Sequence, residues 1–417
     1  MNFVTARQHG KFTYHGHTYE LEPISYPEVN LRNILSVSYP MDVAICRENP
    51  ETMQAVHFEA QKLPGFPKPL LITPQELKEG SRLMLVRGGG IGDVIMLTSA
   101  IRCLREILGK KISISVSTFA DCIPLLDGLG YIDSFHPHPI RLYDFMTSCD
   151  YYMDFPDPKG IFNHTDMIDF YFDSLFMDPA AVPAHKKIPE ISGHLRQSER
   201  VIRALDGLIP PGMTRVLYSG RASDRIRHLP EEFLELLSGR HPEMAFILPS
   251  GSTGKSDKGN NLFRIDTSAG LADFVTAIGC SDIVVSTDSS AYHIAASLDI
   301  PALSFFGPIS SRMRTGYYPR MAAVDSTYSG LTCRAPCGIS AIYESTPAYS
   351  IGANAVKMLE AGTEITAFNG STFRFDTKKG CPEMNVTGSE FAPCLSSFSE
   401  TDILEGFEKA VSFMKRR

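Results

Sequence analysis

Residues 82–104 read RLMLVRGGGIGDVIMLTSAIRCL, and this stretch decides the fold class. Leu83–Val86 is a continuous apolar run, the pattern of a strand buried on both faces of a parallel sheet. Gly88, Gly89, Gly90 and Gly92 then break it, with Asp93 after them. From there Leu97, Ala100, Ile101, Leu104, Ile107 and Leu108 recur at helical spacing. ISISVS at 112–117 is the next strand candidate. Strand, glycine turn, helix and strand predict a βαβ unit.

The pattern extends toward the C-terminus. YYMDF at 151–155 reads as a strand, and TDMIDFYFDSLF at 165–176 as a helix with Thr165 near its N-cap. After Pro210-Pro211 the alternation restarts. RVLYS at 215–219, MAFILP at 244–249, DIVVS at 282–286 and ALSFFG at 302–307 are strand candidates. The helical EEFLELLSG, LADFVTAIG and AYHIAASLD lie between them. Two successive α/β halves predict two Rossmann-like domains, and 417 residues is a length that suits them.

The flanks differ. In residues 1–75, FTYHGHTYELEPI predicts a hairpin, and the proline-rich LPGFPKPLLITP a linker or edge segment. Residues 331–398 interrupt the alternation and hold four cysteines. In ETDILEGFEKAVSFMKRR, Ile403, Phe407, Val411 and Met414 line one side of a helix. Ser399 and Asp402 there resemble a capping box, and Lys415-Arg416-Arg417 suit a helix C-terminus. The expected domains are thus an extension over 1–75, α/β halves over 76–197 and 198–330, a four-cysteine module over 331–398 and a final helix over 399–417.

Composition narrows the function. A hydrophobic share of 43% with 21% charged residues is that of a globular protein. A formal net charge of −7 argues against broad nucleic-acid binding. No apolar run reaches the length of a membrane span, and residues 1–17 have no signal-like core, so a cytoplasmic location is expected. Nine cysteines, an odd number without such a leader, favour a reducing compartment, where clustered cysteines suggest metal rather than disulfides.

Three segments carry candidate chemistry. The first is the turn at 88–93. A dinucleotide fingerprint counted from Gly88 would need glycine where Asp93 stands. An acid there would repel a pyrophosphate but would serve as a base facing a hydroxyl, and a helix N-terminus favours its charged form. Spacing alone favours the plainer reading, a helix cap. The second is Ser286–Ser290, between a strand and a helix that contains His293. Small hydroxyl residues at a helix N-terminus offer donors to phosphate oxygens. A capping Asp288 or Ser289 and a core-packed His293 are the alternatives. The third, Gly251-Ser-Thr-Gly254-Lys255-Ser256, imitates a phosphate loop, but that motif needs glycine at 249, where proline stands. It reads as a polar loop at a strand end.

The first two segments together resemble glycosyltransferase family 9, the ADP-heptose heptosyltransferases of lipopolysaccharide synthesis and their relatives. RGGGIGDVIMLTSAIR resembles that family's first strand, turn and helix, and DIVVSTDSSAYHIAASLDIPALSFFGP its Asp-Thr/Ser-Gly-x-x-His segment and Phe-Gly-Pro turn. The resemblance spans roughly 80–330. It implies a GT-B fold: two Rossmann-like domains facing a cleft, the N-terminal one binding acceptor and the C-terminal one donor.

It also implies inverting, metal-independent transfer of a sugar, a heptose, from a nucleotide-diphosphate donor such as ADP-heptose. The acceptor would be a glycan, lipopolysaccharide or a protein. Asp93, beside Gly92, matches the proposed base. Asp288, Ser289, Ser290 and His293 match the donor-diphosphate segment, although the family usually has glycine where Ser290 stands. Arg227 stands where the family has a lysine facing the donor phosphates, keeping the charge but not the shape. Cys333, Cys337, Cys381 and Cys394 loosely fit a cysteine cluster that the family often carries; four thiolates would suit a structural zinc or iron, with no cofactor in the chemistry. The rival expectation is a protein of the same fold that binds sugar nucleotides, or serves assembly, without turnover.

Overall fold

The computed structural model describes residues 2–6, 9–14, 17–27, 35–37, 44–46, 58–62, 67–88, 90–155, 165–196, 198–255, 259–338, 348–350, 357–359, 362 and 364–414. They fall into two compact units. The first gathers the described residues of 1–159 and 168–187, the second those of 160–167, 188–342 and 348–417.

The core of the first unit is a parallel sheet. Its strands are β1 (Lys68–Pro69), β2 (Arg82–Val86), β3 (Ser113–Phe119), β4 (Ser134–His138) and β5 (Tyr151–Asp154). Among the described residues their order is β4-β3-β2-β5-β1. Leu83, Met84, Leu85 and Val86 are all fully buried, so the apolar run is a strand covered on both faces. Helix α1 (Ile91–Leu108) follows it and buries Val94, Leu97, Ile101 and Leu104. It stops at Gly109, whose φ of 60° lies in the left-handed region that favours glycine. Helix α2 (Leu142–Ser148) seals one face through Phe145, which packs with Met84 and Val86. Helix α3 (Met167–Ser174) supplies buried Tyr171 and Phe172. The proline-rich segment is an edge strand: β1 pairs with β5. The expected hairpin also forms, Gly10–Tyr14 against His17–Leu21, its turn lying outside the described residues.

The second unit begins with α4 (Glu199–Leu208) and β6 (Thr214–Ser219). Next come α5 (Glu231–Arg240), β7 (Met244–Ser250), β8 (Gly254–Lys255), β9 (Leu262–Asp266) and α6 (Leu271–Gly279). Strand β10 (Ile283–Thr287), α7 (Ser290–Ser297), β11 (Ala302–Phe306) and β12 (Met321–Asp325) complete the sheet. The order β8-β9-β7-β6-β10-β11-β12 is parallel except for β8, which runs antiparallel at the edge. Leaving β8 aside, the chain goes outward from β6 through β7 to β9, then returns to β10 on the other side. That is the doubly wound order whose crevice lies between the first and fourth strands.

Helix α8 (Pro382–Thr387) and α9 (Glu400–Met414) pack on this sheet through Met384, Ile403 and Phe407. The capping box of α9 is reciprocal: Ser399 N donates to Asp402 Oδ2 at 3.0 Å, and Asp402 N to Ser399 Oγ at 3.1 Å. The basic tail at 415–417 lies outside the described residues. No described helix is long and apolar enough to cross a membrane.

One buried group in the first unit makes a pH prediction. His138 ends β4 at 3% exposure, and among the described residues neither ring nitrogen has a hydrogen-bond partner. Burial pushes its pKa from 6.5 down to about 3. Between those values the unfolded chain holds a proton that the folded chain lacks. Stability is therefore lost as pH falls through that window, by up to about 1.4 kcal/mol per pH unit. His138→Leu should move the acid-unfolding midpoint to lower pH. An unchanged midpoint would mean that the buried imidazole does not drive acid unfolding.

Candidate functional site

Two polar sites stand at the C-terminal ends of the two parallel sheets. In the first unit, β2 ends in Arg87, whose side chain is 1% exposed. A buried guanidinium needs partners for its charge and its donors. Nε donates to Tyr171 OH at 3.2 Å, Nη1 to Phe155 O at 3.1 Å, and Nη2 stands 3.2 Å from Asp93 Oδ1. The other Asp93 oxygen accepts from Gly90 N at 3.1 Å. The carboxylate is thus both the cap of α1 and the partner of Arg87, and it stays 26% exposed. Gly92, one residue before it, is in the first turn of α1. The site lies between β2 and β5, where this sheet's order reverses.

In the second unit the site lies between β6 and β10, and Asp288 is its hub. This carboxylate is 5% exposed. Arg227 Nη1 donates to the Asp288 backbone oxygen at 2.7 Å and stands 3.7 Å from its Oδ2. Arg314 Nε lies 4.0 Å from Oδ1, to which Tyr292 OH donates at 3.0 Å. Burial, and then the Asp288 charge, push the Tyr292 hydroxyl well above its usual range, so it remains a donor.

Ser289 caps α7: its Oγ accepts from Ala291 N at 3.4 Å and lies 2.8 Å from Ser286 Oγ. Ser290 opens the helix, half-buried. His293 is buried, with Nδ1 2.6 Å from Tyr318 OH and its ring 4.0 Å from that of Tyr292. The structure therefore brings Arg227, Asp288, Ser289, Ser290 and His293 to one crevice, while Asp93 and Gly92 belong to the other unit. Among the described residues, buried polar atoms of this unit that lack a hydrogen-bond partner include Arg227 Nε, Thr287 Oγ1 at the end of β10, and Ser304 Oγ within β11. Arg87 and Arg314 were not assigned roles by sequence. Their signals were an arginine closing an apolar strand and one soon after Gly307-Pro308.

Cys333, Cys337, Cys381 and Cys394 line one cavity together with Ile226, Pro308 and Glu383. All four are reduced. Burial pushes the Cys381 thiol up to about 12 and raises Cys333 and Cys394 as well. Backbone N–H groups of Met384 and Glu383 face the Cys381 sulfur and favour its thiolate.

Glu383 is 1% exposed and ties the two cysteine pairs together. It accepts from Tyr328 OH at 2.9 Å, Leu331 N at 2.7 Å, and Thr332 N and Oγ1 at 2.6 and 2.5 Å. Burial alone would raise its pKa; these donors outweigh it and hold the carboxyl below the usual range. Gly330 admits the carboxylate, because a Cβ there would lie 2.1 Å from Glu383 Oε1. The donor set fits a soft metal ion. As placed, though, no three His, Cys, Asp or Glu side chains among the described residues form a metal-holding group.

Two Rossmann-type sheets, each with a polar site where its strand order reverses, define the GT-B fold class. Residues 263–338 match the family model of glycosyltransferase family 9 (heptosyltransferase). The chain therefore carries a family 9, heptosyltransferase-like glycosyltransferase segment, as the second motif implied; the first motif lies outside the matched range.

Among solved structures, the iron-containing dodecameric glycosyltransferase TibC from enterotoxigenic E. coli H10407 is similar with TM-score 0.51 and 12% identity, over 87% of this chain and 87% of that one. E. coli ADP-heptose lps heptosyltransferase II gives 0.44 and 14%, over 60% and 91%. The family 9 glycosyl transferase from Veillonella parvula DSM 2008 gives 0.44 and 12%, over 60% and 86%. No curated protein matches the chain.

Proposed function

We propose that the protein transfers a heptose from ADP-heptose to a hydroxyl of a glycan, lipopolysaccharide or protein acceptor, with inversion. The observation that carries this reading is the meeting of Arg227 with the Asp288–Ser290 turn in the crevice between β6 and β10. A guanidinium and a helix N-terminus at that place suit a diphosphate. The TibC structure solved with ADP-D-beta-D-heptose supports the choice of donor.

In this reading the acceptor oxygen attacks the anomeric carbon while its proton passes to an Asp93 carboxylate oxygen. The bond from the anomeric carbon to the phosphate oxygen breaks, and its electron pair leaves with the nucleoside diphosphate. Arg227 and the N-terminus of α7 offset that charge. One displacement inverts the centre. Asp288 acts behind the arginines rather than on the phosphates, being almost wholly buried between them. Acceptor binding falls to the first unit and donor binding to the second.

Cys333, Cys337, Cys381 and Cys394 would hold zinc or iron, which would brace the fold and take no part in the transfer. The iron of TibC supports that assignment. A sugar-nucleotide-binding protein without turnover is the second reading, favoured by the bonds that already engage both Asp93 oxygens.

The test is a thermal-shift panel of sugar nucleotides, since a ligand of the folded state raises its stability. ADP-heptose should raise the melting temperature where UDP-sugars do not. Arg227→Ala should weaken that donor by about tenfold or more. A donor shift as large in Arg227→Ala as in wild type would remove Arg227 from the site.

A further inference from the structure

Three consecutive side chains of one short turn point to three different places. The 3-10 turn Arg225–Arg227 is capped by Asp224, whose Oδ1 accepts from Ile226 N at 3.1 Å. Arg227 reaches Asp288 and also donates to Ser223 Oγ at 2.8 Å. Ile226 is 1% exposed and forms part of the wall of the four-cysteine cavity. Arg225, on the surface, donates to the carbonyl of Lys378, three residues before Cys381.

A second strut runs beside the first. Pro308 also lines the cavity, and Gly338 N donates to its carbonyl at 2.8 Å. A Cβ at Gly307 would lie 2.7 Å from Cys394 Sγ, so the backbone there rests against the thiol. The same segment continues to Arg314. Of the two arginines beside Asp288, Arg227 directly follows a wall residue, and Arg314 lies six residues beyond another, Pro308.

We propose that Ile226 and Arg225 are positioning residues for Arg227, and that the packed four-cysteine cavity is the anchor that sets the grip on the donor's diphosphate. The proposal rests on the reading that Arg227 faces that diphosphate. Its physical basis is short. Consecutive Cα atoms are 3.8 Å apart, and a capped turn has little freedom, so Arg227 follows any shift of Ile226. Close-packed walls transmit such shifts rather than absorbing them. A guanidinium displaced by about an ångström loses the alignment that charge-assisted hydrogen bonds need.

The experiment is calorimetric titration of the full chain with ADP and, separately, with adenosine, which lacks phosphates. If the sugar-nucleotide panel selects another base, that base's diphosphate and nucleoside replace them. Ile226→Ala and Cys394→Ala should each weaken ADP by about tenfold while adenosine stays within about twofold, and Ile226→Val should stay near wild type. Arg225→Ala should weaken ADP by about threefold; being at the surface, it is read in place of any core variant that fails to fold.

If Arg227→Ala binds ADP as wild type does, the donor-site reading fails and takes this proposal with it. If Arg227→Ala is weakened but the Ile226, Arg225 and Cys394 variants are not, the coupling alone is overturned. Equal losses for ADP and adenosine would also overturn it, because they would mark a general loosening rather than a misplaced arginine.

Discussion

Asp93→Asn should cut sugar transfer by at least about 10²-fold while leaving ADP affinity within about twofold. The amide keeps the shape and can still accept from Gly90 N, but it cannot take up the acceptor's proton. ADP affinity is spared because the donor residues lie in the other unit. The substitution has a second effect that must be separated from the first. It leaves the buried Arg87 guanidinium facing a neutral group, and breaking such a pair costs about 3–5 kcal/mol. Arg87→Met together with Asp93→Asn removes the stranded charge. The double variant should regain thermal stability relative to Asp93→Asn and remain inactive. Near-normal turnover in Asp93→Asn would reduce this carboxylate to a helix cap and partner of Arg87.

Cys333→Ser combined with Cys381→Ser should abolish metal content and lower the melting temperature by about 10 °C or more. One cysteine is taken from each arm of the cavity, so the remaining two cannot close a four-ligand site. Protein purified without chelator should carry about one zinc or iron per chain, and the variant none. Glu383 should still hold the two arms together through Tyr328, Leu331 and Thr332, so the loss would be that of the metal and not of the loop connection. Metal-free wild-type protein of full stability would end the metal assignment.

Most of the strands that sequence reveals are apolar runs inside the sheets, although the half-buried Tyr151–Asp154 is legible as well. RLMLV, RVLYS, MAFILP, DIVVS and ALSFF are apolar runs, and each is a central strand. The strands it did not reveal carry polar or proline residues: Ser134–His138, Leu262–Asp266 and Met321–Asp325. They lie at or near sheet edges, where one side is less constrained and the apolar pattern fades.

Site residues divide by the same logic. Asp93 and Asp288 follow apolar strands directly, which is a local signal. Their partners are remote: Arg314 lies 26 positions after Asp288, and Tyr171 lies 84 after Arg87. Only the sheet order brings such residues together. Glu383 was hidden for the same reason, since its donors are 51 to 55 residues away. Local spacing also left open whether Ser289 caps its helix and whether His293 is buried; both are so in the fold.

The segment Gly251–Lys255, so like a phosphate loop in its letters, ends as the two-residue strand β8, antiparallel to β9. Among the described residues its place is the outer edge of the second unit's sheet. An open edge there would offer the backbone of Leu262–Asp266 to a second molecule, the usual route to self-association through sheet edges. β8 pairs with Phe263 and Arg264 of that strand and is too short to recruit a neighbour in turn. The glycines and serines that suggest a nucleotide's cradle thus bear on how the protein behaves when concentrated. Deleting the segment would be felt first in solubility.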